Sequence, residues 1–234
     1  MATSGSADLP EPTGREQSAL SLELAGDREA DGGHGREALS CWGRALEILA
    51  AGGRPSEAAR VASKMAVAEE NLGEAEAAGV HYVQAADLYR IAGDQHRIPI
   101  CLNNLAMLRQ RAGRVEEAAV LLRRALEEAS RCHGSVHGET ALIATNLGTV
   151  LCACGDLLGA EQCHMQALGI REQLFGPAHP EAGLSLGHLG VIHQMRGDPG
   201  RARSFYTSAL AILAEFPQLH QAERDILSEN LAGL

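Results

Sequence analysis

The sequence predicts an all-α, right-handed α-solenoid of five helix-turn-helix repeats followed by a C-terminal capping helix. Three observations carry that expectation. The 234-residue chain is 45% hydrophobic but only 3% aromatic. That composition suits helices packed through small side chains, not the β-branched and aromatic residues of a sandwich or barrel. Four small residues separated by 7, 5 and 7 positions recur five times. They are Gly26, Gly33, Ala38 and Ala45; Ala66, Gly73, Ala78 and Ala85; Ala106, Gly113, Ala118 and Ala125; Gly148, Gly155, Ala160 and Ala167; and Gly190, Gly197, Ala202 and Ala209. The spacing from set to set is 40 or 42 residues, a period that identifies stacked helical repeats. Finally, Asn230-Leu231-Ala232 repeats Asn104-Leu105-Ala106 and Asn146-Leu147-Gly148, marking a last, unpaired helix.

Each element follows from this register. Residues 1–14, with Pro10, Pro12 and several small residues, read as a disordered tail, and residues 15–234 as the solenoid. Its repeats fall at about 16–52, 55–92, 95–132, 137–175 and 179–216, with a capping helix at 218–232. Within each repeat, the first anchor lies on helix A where helix B crosses closely. The glycine seven residues on ends helix A, because only glycine adopts the left-handed conformation without cost. Asp156 and Asp198 follow two of these glycines and suit the start of helix B. On helix B the two alanines flank a residue at i+4 on the same face: Trp42, Tyr82, Leu122, His164 and Tyr206. Histidine is the departure from an otherwise bulky apolar or aromatic series. The capping helix carries Leu219, Ala222, Ile226, Leu227 and Leu231 at helical spacing to cover the apolar end of the fifth repeat.

Leu102-Asn103-Asn104-Leu105-Ala106, and Ala167 to Glu172 running into Gly176-Pro177-Ala178-His179-Pro180-Glu181, resemble the tetratricopeptide repeat. The closer resemblance is to the 42-residue version of kinesin light chains. It covers about residues 55–234 well and 16–54 less well. The aromatic such repeats carry just after the turn glycine is absent, its place taken by Gly35, Ala75, Val115, Leu157 and Pro199. The resemblance implies a protein- or peptide-binding scaffold whose A helices line a concave groove.

Several function classes are disfavoured. The net charge is −10, whereas nucleic-acid binding relies on cations that neutralise phosphates. No run of 18 apolar residues suggests a membrane span. Residues 1–15 lack a charged start leading into an apolar run, so a cytoplasmic chain with six reduced cysteines is expected. No G-x-S-x-G or phosphate-loop motif occurs, so no catalytic residue and no cofactor is assigned. Histidines recur at 96, 137, 179 and 220, one per repeat before helix A. Neighbouring repeats stand roughly 18–20 Å apart when packed axes are 8–10 Å apart, too far for one zinc ion. Cys132-His133 with His137 lacks the paired spacing of a structural zinc site. No metal site is expected, and these histidines read as helix-start residues.

The groove remains as the functional surface. Helical phase points Lys64, Asn104, Asn146 and His188 into it, two residues before their anchors, with Arg111 five after and Asn103 partly turned inward. Amides offer both donors and an acceptor, which suits the backbone of an extended segment. Residues 97–124 carry six basic against two acidic side chains, a local positive zone that favours a partner with an acidic segment. The expected function is therefore a non-catalytic scaffold or adaptor that captures a protein or peptide. A sensor whose solenoid changes shape on binding is the alternative, and an enzyme with a groove active site is a lesser one.

Overall fold

A computed structural model describes residues 14–234, which form eleven α-helices. Residues 1–13 of the expected tail lie outside the described residues, and Gly14 is already helical. The helices are α1 (Gly14–Asp31), α2 (Gly35–Ala51), α3 (Pro55–Asn71), α4 (Ala75–Ala92), α5 (Ile98–Arg111), α6 (Val115–His133), α7 (Gly138–Ala153), α8 (Leu157–Phe175), α9 (Pro180–Met195), α10 (Pro199–Ala214) and α11 (Gln221–Ala232). The fold is an all-α repeat solenoid. It divides into two compact units, one ending at Asp94 and the other Gln95–Leu234. In the first unit α1 packs on α2, α2 on α3 and α3 on α4. In the second, each of α5 to α10 packs on the next.

The small-residue register is the packing code of both units. All twelve alanine anchors are fully buried. The i+4 residue between each pair of helix-B alanines is buried too: Trp42, Tyr82, Leu122, His164 and Tyr206. Three of the helix-A anchors are glycines with a ring directly above them. A Cβ at Gly26 would stand 2.5 Å from Trp42 Cδ1, one at Gly148 2.6 Å from His164 Nε2, and one at Gly190 2.5 Å from Tyr206 Cδ1. Real Cβ atoms do not approach so closely, so glycine is what lets these helix pairs close.

The turns follow the same logic. The five intra-repeat glycines have φ between 73° and 80°. At Gly113, the following Arg114 N–H returns to the Arg109 carbonyl at 2.9 Å and closes α5, a left-handed stop that a side chain would strain. Asp156 and Asp198 accept the backbone N–H groups of Gly159 and Arg201, each at 3.0 Å, and cap α8 and α10. His137 and His179 do the same for α7 and α9 through Nδ1, accepting from the N–H groups of Glu139 and Glu181.

Two boundaries differ from the sequence expectation. Residues Gln95–Arg97 form a 3₁₀ turn, and α5 begins at Ile98, one residue before Pro99. Proline lacks an N–H, so it is tolerated only where no intrahelical partner is required. The final helix starts at Gln221, not near 218, because His220 adopts φ 57° and interrupts any helix begun earlier. In α11 only Leu227 is fully buried; it joins Ala202, Tyr206, Ala209 and Leu213 in one cluster.

Candidate functional site

The second unit brings three of the anticipated residues together. Asn103 is 4% exposed, and its Oδ1 accepts a hydrogen bond from Asn146 Nδ2 at 2.8 Å. Asn103 Nδ2 in turn donates to Asn104 Oδ1 at 3.3 Å. The bond from α7 to α5 ties the A helices of neighbouring repeats, and it orients the whole set. Asn146, whose amide nitrogen is engaged, keeps Oδ1 as an acceptor. Asn104, whose oxygen is engaged, keeps Nδ2 as a donor. Both side chains are half-buried. The arrangement is a polarised amide chain with a donor at one end and an acceptor at the other, matching the two groups that a peptide unit offers.

His188 lies in the same register on α9 and is exposed. One face of its ring stacks on His164, with centroids 4.7 Å apart and planes at 15°. Desolvation of that packed ring, together with the Arg171 guanidinium, lowers its pKa. Arg111 is exposed at the C-terminal end of α5.

Lys64 belongs to the first unit, and its charge is engaged there. Its Nζ donates to Glu23 Oε1 at 2.7 Å and to Asp27 Oδ1 and Oδ2 at 2.7 and 2.8 Å. Arg60 also pairs with Glu23, and Trp42 Nε1 donates to Asp27 Oδ1 at 3.0 Å. The reason is register: Glu23 and Asp27 sit three before and one after Gly26, on the face of α1 that meets the corresponding face of α3. Lys64 is a bridge inside the first unit. The positive zone at 97–124 is likewise partly tied internally, since Arg114 forms two 2.6 Å bonds to Glu117 and Arg109 approaches the same carboxylate at 4.0 Å.

The row of histidines resolves into separate roles. His137 and His179 are helix caps. His133 stacks on His137, centroids 4.5 Å apart, and lies 5.2 Å from His96. Among the described residues, no group of three or more His, Cys, Asp or Glu side chains could hold a metal ion. No helix among them is long and apolar enough to cross a membrane.

Two features were not anticipated. A cavity of about 540 Å³ opens between Leu158, Glu161 and Met165 of α8 and Arg201 and Phe205 of α10, with His193 also lining it. His193 is 2% exposed and its Nε2 meets Glu161 Oε1 at 3.1 Å. The second feature is a polar seam between α8 and α9. There Arg171, 8% exposed, donates from Nη1 to Ser185 Oγ at 2.6 Å and pairs through Nε with Glu181 at 3.1 Å. His164 in place of an aromatic was the only sequence signal for that seam. The cavity had none, because it arises from the spacing of two helices distant in sequence.

Paired antiparallel helices repeating every 40 or 42 residues, closed by small anchors and by glycine stops, define a helix-turn-helix repeat solenoid of the protein-interaction type. A family model described as Tetratricopeptide repeat matches residues 98–151 and 139–215, half of the chain, and the chain belongs to that family. Solved structures agree on the fold. BtubC (BKLC) from P. vanneervenii is 22% identical, with a TM-score of 0.72 over 89% of this chain and 94% of its own. A kinesin light chain-like protein with nearly identical TPR-like repeats from Podosopora anserina is 20% identical, with a TM-score of 0.70 over 88% of this chain and 99% of its own. The apo form of RapI is 16% identical, with a TM-score of 0.76 over 85% of this chain and 54% of its own. No functionally curated protein matches the sequence. Repeats of this family generally serve as protein-interaction scaffolds.

Proposed function

We propose that this chain is a non-catalytic scaffold that captures an extended protein or peptide segment on the A-helix face of its second unit. The observation that carries the reading is the polarised chain from Asn146 through Asn103 to Asn104. Its free acceptor and donor stand ready for the N–H and C=O of a ligand backbone, so affinity does not depend on one ligand sequence. His188, in the same register, extends the face by one repeat. Lys64 is ion-paired within the first unit, so attraction of an acidic segment is not the basis of this reading. A reducing, cytoplasmic setting suits six cysteines that are all free thiols.

The test is selection of phage-displayed random peptides on the parent chain, followed by titration against Asn104→Ala plus Asn146→Ala. Loss of two neutral hydrogen bonds, about 0.5–1.5 kcal/mol each, weakens binding roughly five- to 150-fold, with helicity unchanged. Undiminished binding by the double variant would move the site off this face.

A further inference from the structure

We propose that the seam between α8 and α9 is an acid-sensitive joint: His164 is locked in its neutral form while the seam is closed, and mild acidification favours a state in which α9 has lifted away from α8.

The starting point is an exception in the repeat. Four residues after the first helix-B alanine, three of the other repeats place a ring that finds a polar partner. Trp42 Nε1 donates to Asp27 at 3.0 Å, Tyr82 OH to Glu70 Oε2 at 2.9 Å, and Tyr206 OH to Gln194 Oε1 at 2.6 Å. Glu70 and Gln194 stand four residues beyond their helix-A anchors. The same place in the fourth repeat is Cys152, a weak partner at best. His164 is 1% exposed, and its Nδ1 is buried without a hydrogen bond. Its Nε2 lies against Gly148, and its ring is covered by His188.

Burial and the neighbouring His188 and Arg171 oppose a proton here. On α8 itself, Arg171 is one heptad along, and its positive charge acts on the ring. On α9, His188 is a second proton acceptor that would compete for, and then repel, the charge. The only carboxylate facing the seam from α9 is Glu181, and it is already bonded to Arg171 at 3.1 Å; His193, farther along α9, pairs with Glu161. The titratable groups of α7 are Glu139, which lies 3.5 Å from His133, and Cys152, whose thiol pKa burial pushes up. No anion is available to an imidazolium at position 164. Burial, His188 and Arg171 accordingly push its pKa down to about 3.

An opened seam returns the ring to water, where it titrates near 6.5. The sign follows from linkage. Below about pH 6.5 the open state takes up a proton at His164 that the closed state refuses, so through this ring alone each further unit of acidification multiplies the open population by up to tenfold. The slope persists until the closed-state pKa is reached. The seam also holds polar links between Arg171, Ser185 and Glu181 and an apolar cluster of Leu168, Ala182 and Leu189, so opening gives up that burial, and the proton taken up by the exposed ring offsets part of the cost as the pH falls. Because α9 carries His188, opening also withdraws the fifth repeat from the face described above. That consequence rests on the peptide-binding reading; the opening does not.

The experiment is hydrogen exchange of the intact chain followed by mass spectrometry between pH 7.5 and 5, corrected for intrinsic exchange and read without any ligand. Protection of α9 should fall towards tenfold per pH unit below about 6.5, while α3 and α4 change little. Two substitutions remove the titrating ring with occupants this slot already accepts elsewhere: His164→Tyr, as Tyr206 sits over Gly190, and His164→Leu, as Leu122 does in the third repeat. Either variant that folds should lower the α9 slope below the parent's, leaving only what His188 contributes. A slope equal to the parent's in the folded variant overturns the joint. So does a His164 ring whose NMR resonances titrate near pH 6.5 in the folded parent. A peptide-binding result of either kind leaves these outcomes unaffected.

Discussion

Gly190→Ala and Gly169→Ala are the same chemical change on two helices of one unit, yet they should move stability in opposite directions. In an open helix interior, alanine is favoured over glycine by about 1 kcal/mol. A Cβ at Gly169 on α8 meets nothing within 4 Å, so that variant should gain roughly this amount. A Cβ at Gly190 would stand 2.5 Å from both Cδ1 and Cε1 of Tyr206, a fully buried ring. The ring must move or α9 and α10 must separate. Overpacking of this kind costs about 1–3 kcal/mol. A displaced phenol also loses its bond to Gln194, worth about 0.5–1.5 kcal/mol. Set against the propensity gain, the net loss is about 0.5–3.5 kcal/mol. Separation of the helices is no easy escape. A Cβ at Gly183 on the same helix would already stand 3.2 Å from Leu213 Cγ, so widening the pair unpacks that leucine as well. Ala66 stands in register with Tyr82 in the second repeat, so an alanine–tyrosine pair is allowed where the helices are spaced for it. Urea unfolding followed by far-UV circular dichroism reads both variants, with m-values compared to confirm that the same transition is measured. If Gly190→Ala unfolds at the same urea concentration as Gly169→Ala or higher, the close crossing is not what selects glycine.

Two further outcomes are expected. Lys64→Glu should destabilise the first unit by about 1–3 kcal/mol, because it sets a third carboxylate against Glu23 and Asp27. Unchanged urea unfolding would show that the bridge contributes nothing. Removing residues from Pro217 onward uncovers Tyr206, Ala209 and Leu213, the cluster that Leu227 closes. Size-exclusion chromatography should then show concentration-dependent association, and a monomer as stable as the parent would mean that α11 is not a cap.

How much of this was legible beforehand varies with the kind of interaction. The five turn glycines could be placed by counting, because a left-handed φ is a local demand that one residue type meets cheaply. The caps at Asp156 and Asp198 were local in the same way. The start of the last helix was misjudged because an apolar stripe continues to Leu219, while the backbone at His220 breaks the helix. The site was legible by phase only. Counting from the anchors put Asn103, Asn104 and Asn146 on one face, but it could not tell that Asn146 reaches across to Asn103, which orients all three amides. Counting placed Lys64 on its helix, but it could not tell that its charge meets Glu23 and Asp27, 41 and 37 residues earlier.

The sequence by itself determined the class of fold, because a repeated small-residue register with a glycine stop leaves one economical packing: antiparallel helices crossing closely, pair after pair. It also determined which residues fill the crossings, since helical periodicity is a property of the local chain. Only the tertiary structure decided which polar groups are available to a partner and which are already answered from within. That is a question of distances between side chains far apart in sequence, and electrostatic and hydrogen-bond energies depend on those distances and on burial. His164 joins both halves of that lesson: its slot is visible as an exception in the repeat, while its missing partner and its neighbours Arg171 and His188 emerge only when α8 and α9 are packed together.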